Sequence, residues 1–254
     1  GPGGRITRED VERAAKSPPA QGEVQRAAEL ASAPAGQRIS IRGMRKTIAD
    51  RMHQSLQRSA QLTITAEADV TPATELRARL ARQFDFSYTD MIVHAVARAL
   101  MRHPRMNARI EGDEIILVPQ INIGIAVALD EGLIVPVIRD AALKPLREIA
   151  IESKALGEKA KAAQLKLDDV AGGTFTVTNL GTYGVDAFTP ILNAAETGIL
   201  GVGRILEKPA IYRGEIARRS MLTLSLTFDH RVIDGAPAAE FLQNVIEIFN
   251  YGER

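Results

Sequence analysis

No cysteine occurs among the 254 residues, and that absence removes several chemistries at once. A disulfide framework, a thiol nucleophile and a thiolate metal site are all excluded. The four histidines, at 53, 94, 103 and 230, show no i, i+4 or other ligand-like spacing, so no metal is expected. His94 lies inside an apolar helical pattern and reads as a satisfied histidine rather than a ligand. No apolar run approaches the roughly 20 residues needed to span a bilayer, and no secretory signal is visible. Lys and Arg number 32 against 31 Asp and Glu, a balance without the basic stripe that a nucleic-acid binder would show. There is no Gly-x-Ser-x-Gly elbow for a serine hydrolase. Gly201-x-Gly203 is no dinucleotide fingerprint either, because Leu206 stands where a third glycine would be. The chain reads as soluble and intracellular.

What is present is a chain that is 45% hydrophobic and 25% charged, enough for a core in one large domain or two of ordinary size. Residues 1–15 read as a glycine-rich loop and a short helix with Thr7 as its N-cap, too short to bury a core. Residues 16–37 are rich in Pro, Ala, Gly and Ser, which is linker chemistry. The domain boundary falls near residue 38.

Beyond it the pattern is dense. Met44, Ile48, Met52 and Leu56 recur every four residues and predict an amphipathic helix, with Arg45 and Arg51 off the apolar stripe. Residues 62–70 alternate as a strand, and Thr71-Pro72 predicts a helix with Thr71 as N-cap and Pro72 in first position. A loop at Asp85 to Ser87 leads to an apolar helix over 88–101, ended by His103-Pro104. A hairpin is expected over 108–118, then two strands over 121–129 and 133–139 around the Asp130-Glu-Gly132 turn. A charged helix over 146–163 and strands at 174–179 and 199–205 complete this part, and Arg213-Gly214 makes the next turn.

The stretch that organises the chain is Leu224-Ser-Leu-Thr-Phe-Asp-His-Arg-Val-Ile-Asp-Gly-Ala236. Leu222, Leu224, Leu226 and Phe228 alternate with polar residues as a strand, and Phe241, Val245, Ile248 and Phe249 follow at helical spacing. His230 and Asp234 therefore stand where a strand hands over to a helix, a loop position able to present side chains to a ligand. An imidazole there can take a proton near neutral pH.

His230-Arg-Val-Ile-Asp-Gly235 resembles the signature of the dihydrolipoamide acyltransferases, the E2 cores of the 2-oxo acid dehydrogenase complexes. Three further strings are similar to that family: Arg45 to Met52, Asn122 to Val137, and Thr178-Asn-Leu-Gly181. The resemblance runs from residue 38 to about 249. It implies an α/β fold like that of chloramphenicol acetyltransferase, a mixed sheet flanked by helices, in a homotrimer with active sites between subunits. It implies His230 as general base, Thr178 of the neighbouring subunit as donor to the oxyanion, and Asp234, paired with Arg45, as a builder of the site. Positions matching the family's coenzyme A contacts are Arg77, Ser87, Asp130, Asn179, Gly203 and Ile205.

By the same resemblance, residues 1–15 are the remnant of a peripheral subunit-binding domain, and the lipoyl-lysine substrate is carried by a lipoyl domain outside this chain. E1 and E3 dehydrogenase subunits are the implied partners, without nucleic acid or membrane. The implied compartment is the cytoplasm, or the mitochondrial matrix in a eukaryote. Residues 249–254 lack the family's apolar tail, so assembly is expected to end at the trimer. The string 179–189 looks most like acetyltransferase members, although succinyl and branched-chain transferases share the motifs. A small-molecule acyltransferase and a non-catalytic scaffold that recruits dehydrogenases are the rival readings. The N-terminal stub and linker argue against the first, and the joint presence of His230, Asp234 and Thr178 against the second.

Overall fold

A computed structural model describes residues 8, 40–129 and 132–252. The chain divides into two units, Gly1–Ile41 and Arg42–Arg254. Of the first, only Arg8, Ser40 and Ile41 fall among the described residues, so the expected remnant and linker lie outside them. The second unit begins four residues later than the expected boundary at 38.

Helix α1 (Gly43–Arg58) leads through a two-residue corner into β1 (Gln61–Asp69). Helix α2 (Thr71–Leu80) starts one residue earlier than expected. Val70 is its N-cap and Pro72 its second residue. Thr71 is drawn into the helix because its backbone and hydroxyl both donate to the Asp69 carboxylate, at 3.0 and 2.7 Å.

Helix α3 (Tyr88–Arg102) opens with a capping box in which Ser87 and Asp90 bond reciprocally. The hairpin β2 (Ala108–Glu111) and β3 (Glu114–Leu117) is as expected.

Each of the two strands expected around residue 130 is broken in two. β4 (Ile123–Ile125) and β7 (Val137–Ile138) pair in the main sheet, while β5 (Val127–Leu129) and β6 (Gly132–Ile134) form a separate two-stranded arm. Ala126 and Pro136 mark the break. Ala126 donates to Val177 and Ile125 to Pro136, and a proline has no N–H to continue a ladder.

Helices α4 (Leu146–Lys161) and α5 (Leu167–Val170) precede β8 (Phe175–Asn179), β9 (Gly198–Tyr212), β10 (Glu215–Asp229) and α6 (Gly235–Tyr251). The main sheet is mixed, in the order β1-β10-β9-β8-β4-β7. β9 and β10 form a long hairpin whose tip is Arg213 and Gly214, with φ of 53° and 87°. Positive φ at both positions is the type I′ pattern, whose twist matches the strands.

The two faces of this sheet differ sharply. Phe228, Leu226 and Leu224 of β10, Leu200 and Val202 of β9, and Phe175 and Val177 of β8 are buried on one face. Phe241 of α6 sits 5.7 Å from Phe175 there, and the apolar side of α3 completes the core. The other face is a field of hydroxyls. Thr63 bonds Thr227 across β1 and β10 at 2.7 Å, and the row Thr65–Ser225–Gly201–Thr178 lies beside it. This second face is roofed by the segment 185–197 rather than by a long helix. Phe188 fills the notch at Gly201, and Thr176 donates to Glu196 at 2.6 Å. Among the described residues no helix is long and apolar enough to cross a membrane.

Candidate active site

His230 follows the last residue of β10, and Asp234 is the N-cap of α6. The turn between them is tight: Val232 and Ile233 both donate to the Asp229 carbonyl, at 2.9 and 3.3 Å. Their side chains are buried, which leaves His230 and Asp234 outward. Asp234 Oδ1 lies 3.6 Å from His230 Nδ1. That is beyond hydrogen-bond reach, but a carboxylate there favours the tautomer with the proton on Nδ1. Nε2 is then free to accept a proton. The imidazole is 42% exposed and rests 5.8 Å from the Phe228 ring. Asp234 also gains from standing at a helix N-terminus, where the macrodipole favours negative charge.

Arg45 is not joined to Asp234 within the chain. It is exposed on the first turn of α1, and Asp234 meets His230 instead. Nor does one chain bring Thr178 to His230. Thr178 pairs with Gly201, and Gly201 with Ser225, five residues before His230. At about 3.3 Å per residue along a strand and about 4.8 Å between strands, His230 and Thr178 are roughly 20 Å apart. Thr178 stands level with Ser225, four residues inside the Asp229 end of β10 and two strands across from it.

Around Thr178 the other expected residues do gather. Asn179 donates to Thr89 at 3.0 Å and accepts from Gly181 N at 2.8 Å. Thr89 is on the first turn of α3, beside Ser87. Arg77 donates to the Phe86 carbonyl at 3.1 Å and lies 4.8 Å over the Tyr88 ring. Its Nε is buried without a partner. Gly181 packs directly on Gly203, and Ile205 follows two residues along β9. Thus Arg77, Ser87, Asn179, Gly203 and Ile205 form one connected neighbourhood, while Asp130 lies outside the described residues. Gly203 has a local reason to be glycine: a methyl group there would collide with the Asp186 carbonyl, where the 185–186 segment crosses β9. A bulge accompanies the crossing, with the β9–β10 register shifting between Leu222 and Leu224.

Beside the His230 turn lies a cleft of about 540 Å³, with Arg58, Arg109, Arg231, Asp229 and Glu196 in its walls. Two of these carboxylates were not singled out from the sequence. Burial alone would raise the Asp229 carboxyl, but bonds from Arg231 and from the Arg231 and Ala60 backbone hold it below the usual value. Glu196 goes the other way. Burial pushes it up to about 7, even with Thr176 and Asn193 donating to it. A charged residue in the run Ala194-Ala-Glu-Thr-Gly-Ile-Leu200, just before an apolar strand, was the available signal. Among the described residues no cluster of three or more metal-ligating side chains is present.

The chain belongs to the family of 2-oxoacid dehydrogenases acyltransferases (catalytic domain), whose pattern matches residues 33–252. It is 43% identical over 249 residues to the dihydrolipoyllysine-residue acetyltransferase component of the acetoin cleaving system of Bacillus subtilis, covering 96% of this chain and 61% of that protein. It is 36% identical to the dihydrolipoyllysine-residue succinyltransferase component of the 2-oxoglutarate dehydrogenase complex of Haemophilus influenzae, covering 98% of this chain and 64% of the other. The chain thus spans about three fifths of the length of these relatives.

Among solved structures, a probable dihydrolipoamide acetyltransferase from Listeria monocytogenes superposes with a TM-score of 0.82 at 35% identity, covering 87% of this chain and 97% of the other. A cubic core of a pyruvate dehydrogenase multienzyme complex gives 0.80 at 31% identity, covering 92% and 96%. Chloramphenicol acetyltransferase gives 0.51 at 18% identity over 84% of this chain and 99% of the other, a likeness of fold. The expected family and fold are both found.

Proposed function

We propose that this chain transfers an acyl group between dihydrolipoamide and coenzyme A. The observation that carries the reading is the His230 turn, with an exposed imidazole, a carboxylate over Nδ1 and Nε2 left as acceptor. His230 Nε2 takes the proton of the attacking thiol, and the thiolate adds to the carbonyl carbon of the acyl thioester. The new C–S bond leaves a tetrahedral oxyanion, to which the Thr178 hydroxyl donates. Collapse breaks the old C–S bond, and His230 returns its proton to the departing sulfur. General base help is worth about 10²–10⁴-fold, and one oxyanion donor about 3–4 kcal/mol.

Because His230 and Thr178 lie roughly 20 Å apart within one chain, each site joins His230 of one copy to Thr178 of the next. A homotrimer closes such head-to-tail contacts. Coenzyme A occupies the neighbourhood of Arg77, Ser87, Asn179, Gly203 and Ile205, with Asp130, and the Arg77 guanidinium suits a phosphate. Asp234 orients His230, and Arg45 supports that end of the site in the assembled protein. Lipoyl-lysine arrives on a lipoyl domain, and E1 and E3 dehydrogenase subunits are the partners in a complex of the cytoplasm, or of the matrix in a eukaryote. Acetyl is the favoured acyl group, since the string 179–189 and the relative of higher identity both point that way. The succinyl alternative rests on the other relative.

The test is transfer from acetyl-CoA to dihydrolipoamide by the parent and by His230→Ala. Activity in the parent and a fall of about a hundredfold or more in the variant is expected. Equal activity would remove His230 from the chemistry, and transfer from succinyl-CoA alone would reassign the acyl group.

A further inference from the structure

Asp234 is too exposed and too distant to fix the catalytic imidazole by itself. Its side chain is 79% exposed and stands 3.6 Å from Nδ1. The orientation of His230 therefore has to come mainly from the backbone that carries it, and that backbone is held on three sides. His230 N donates to the Ala60 carbonyl at 2.9 Å, and Asp229 N to the Thr197 carbonyl at 3.0 Å. Ala60 N returns a bond to Asp229 Oδ1 at 3.2 Å. The same carboxylate takes Arg231 N at 3.1 Å and grips the Arg231 guanidinium through Nε at 3.0 Å and Nη2 at 2.6 Å. The α1–β1 corner is itself anchored. Ser55 donates to the Leu192 carbonyl at 2.7 Å, and Gln61 accepts from Leu192 N at 3.1 Å.

We infer that Asp229 and Arg231, on either side of His230, are positioning residues that lock the catalytic turn onto the α1–β1 corner. This rests on the acyltransferase reading above. Neither residue need touch substrate. A surface ion pair would contribute little, but this one is a two-point fork with the Asp229 side chain only 7% exposed. The pair leaves both flanks of the imidazole fixed and close to electrically neutral. Among the described residues, the other charged or titratable groups around the turn are Asp234 and, in the adjoining cleft, Arg58, Arg109 and Glu196.

The test uses the whole 254-residue chain with acetyl-CoA and dihydrolipoamide, comparing Asp229→Asn, Arg231→Met and Arg231→Lys. Loosening the turn by about 1 Å costs on the order of 10²-fold, so kcat should fall about 10- to 100-fold in the first two variants. KM for coenzyme A should stay within about twofold of the parent, because neither Asp229 nor Arg231 is among the residues assigned to coenzyme A. Arg231→Lys should recover part of the loss.

The acidic limb of the pH profile carries the distinguishing signature. Asp229→Asn leaves an unpaired cation and should move that limb to lower pH, whereas Arg231→Met leaves an unpaired carboxylate and should move it to higher pH. Each displacement should be about one pH unit or less. Folded variants with parental kcat would overturn the inference. So would a loss shared equally between kcat and KM with the pH profile unmoved. If Arg231→Met fails to fold, Asp229→Asn and Arg231→Lys are judged by the same split. A parent inert toward every acyl-CoA is a different result, which overturns the acyltransferase reading itself.

Discussion

Replacing Glu196 by glutamine should make the protein less sensitive to alkaline pH. The Glu196 carboxyl is 7% exposed and accepts from Thr176 at 2.6 Å and Asn193 at 2.9 Å. Burial raises it from an ordinary 4.5 to about 7. Below pH 4.5 the folded and unfolded chains both hold this proton, and the group makes no difference. Between 4.5 and about 7 the unfolded chain gives it up while the folded chain keeps it, so stability falls as pH rises. Above about 7 the loss is complete and amounts to about 3 kcal/mol. The glutamine of the Glu196→Gln variant cannot ionise and is spared that loss. Re-pairing its amide with Thr176 and Asn193 adds an offset that does not depend on pH. Urea unfolding at about pH 5 and about pH 8, at fixed protein concentration because the chain is expected to assemble, is the assay. The variant's stability relative to the parent should rise by about 2 to 3 kcal/mol between the two, since a small part of the loss is already present at about pH 5. Curves that run parallel would show that the Glu196 carboxyl is not held neutral, and the reasoning would fail.

Mixing offers a sharp check on the shared site. His230→Ala and Thr178→Ala should each be nearly inactive, yet chains co-expressed in equal amounts should recover about one quarter of parental activity, since a random ring pairs the two intact halves at about one site in four. No recovery would mean that one chain builds its own site. Gly203→Ala should destabilise by about 2 kcal/mol or more, because a methyl group meets the Asp186 carbonyl at the backbone crossing. A melting temperature equal to the parent's would contradict that crossing.

Most elements were legible because the hydrophobic period was clean. Residues 222–228 alternate and 241–249 follow a helical stripe, and β10 and α6 stand where those patterns put them. The boundaries that moved did so through local bonding. Asp69 pulled Thr71 into α2, and the break at Ala126 and Pro136 divided two strands that read as continuous. The length of β9 was hidden because Glu207, Lys208 and Pro209 look like a loop, although they continue the ladder opposite Arg218 to Ser220.

In the site, His230 and Asp234 were legible as a turn. Their separation from Thr178 came only from the family resemblance, because it depends on strand order, which periodicity does not encode. Asp229, Arg231 and Glu196 were passed over because a charged residue beside a turn looks solvated until its partners are seen. Here two of those partners, Ala60 for Asp229 and Thr176 for Glu196, are distant in sequence.

The distance between His230 and Thr178 within one chain bears on how such a chain is made. Under the proposed shared site, a newly synthesised copy holds its proton acceptor and its oxyanion donor too far apart to be a working enzyme. On that reading it should meet acyl thioesters without consuming them, and activity should begin only at the concentration where copies find one another. Specific activity should then follow mass action on dilution, while the circular dichroism of each chain stays unchanged.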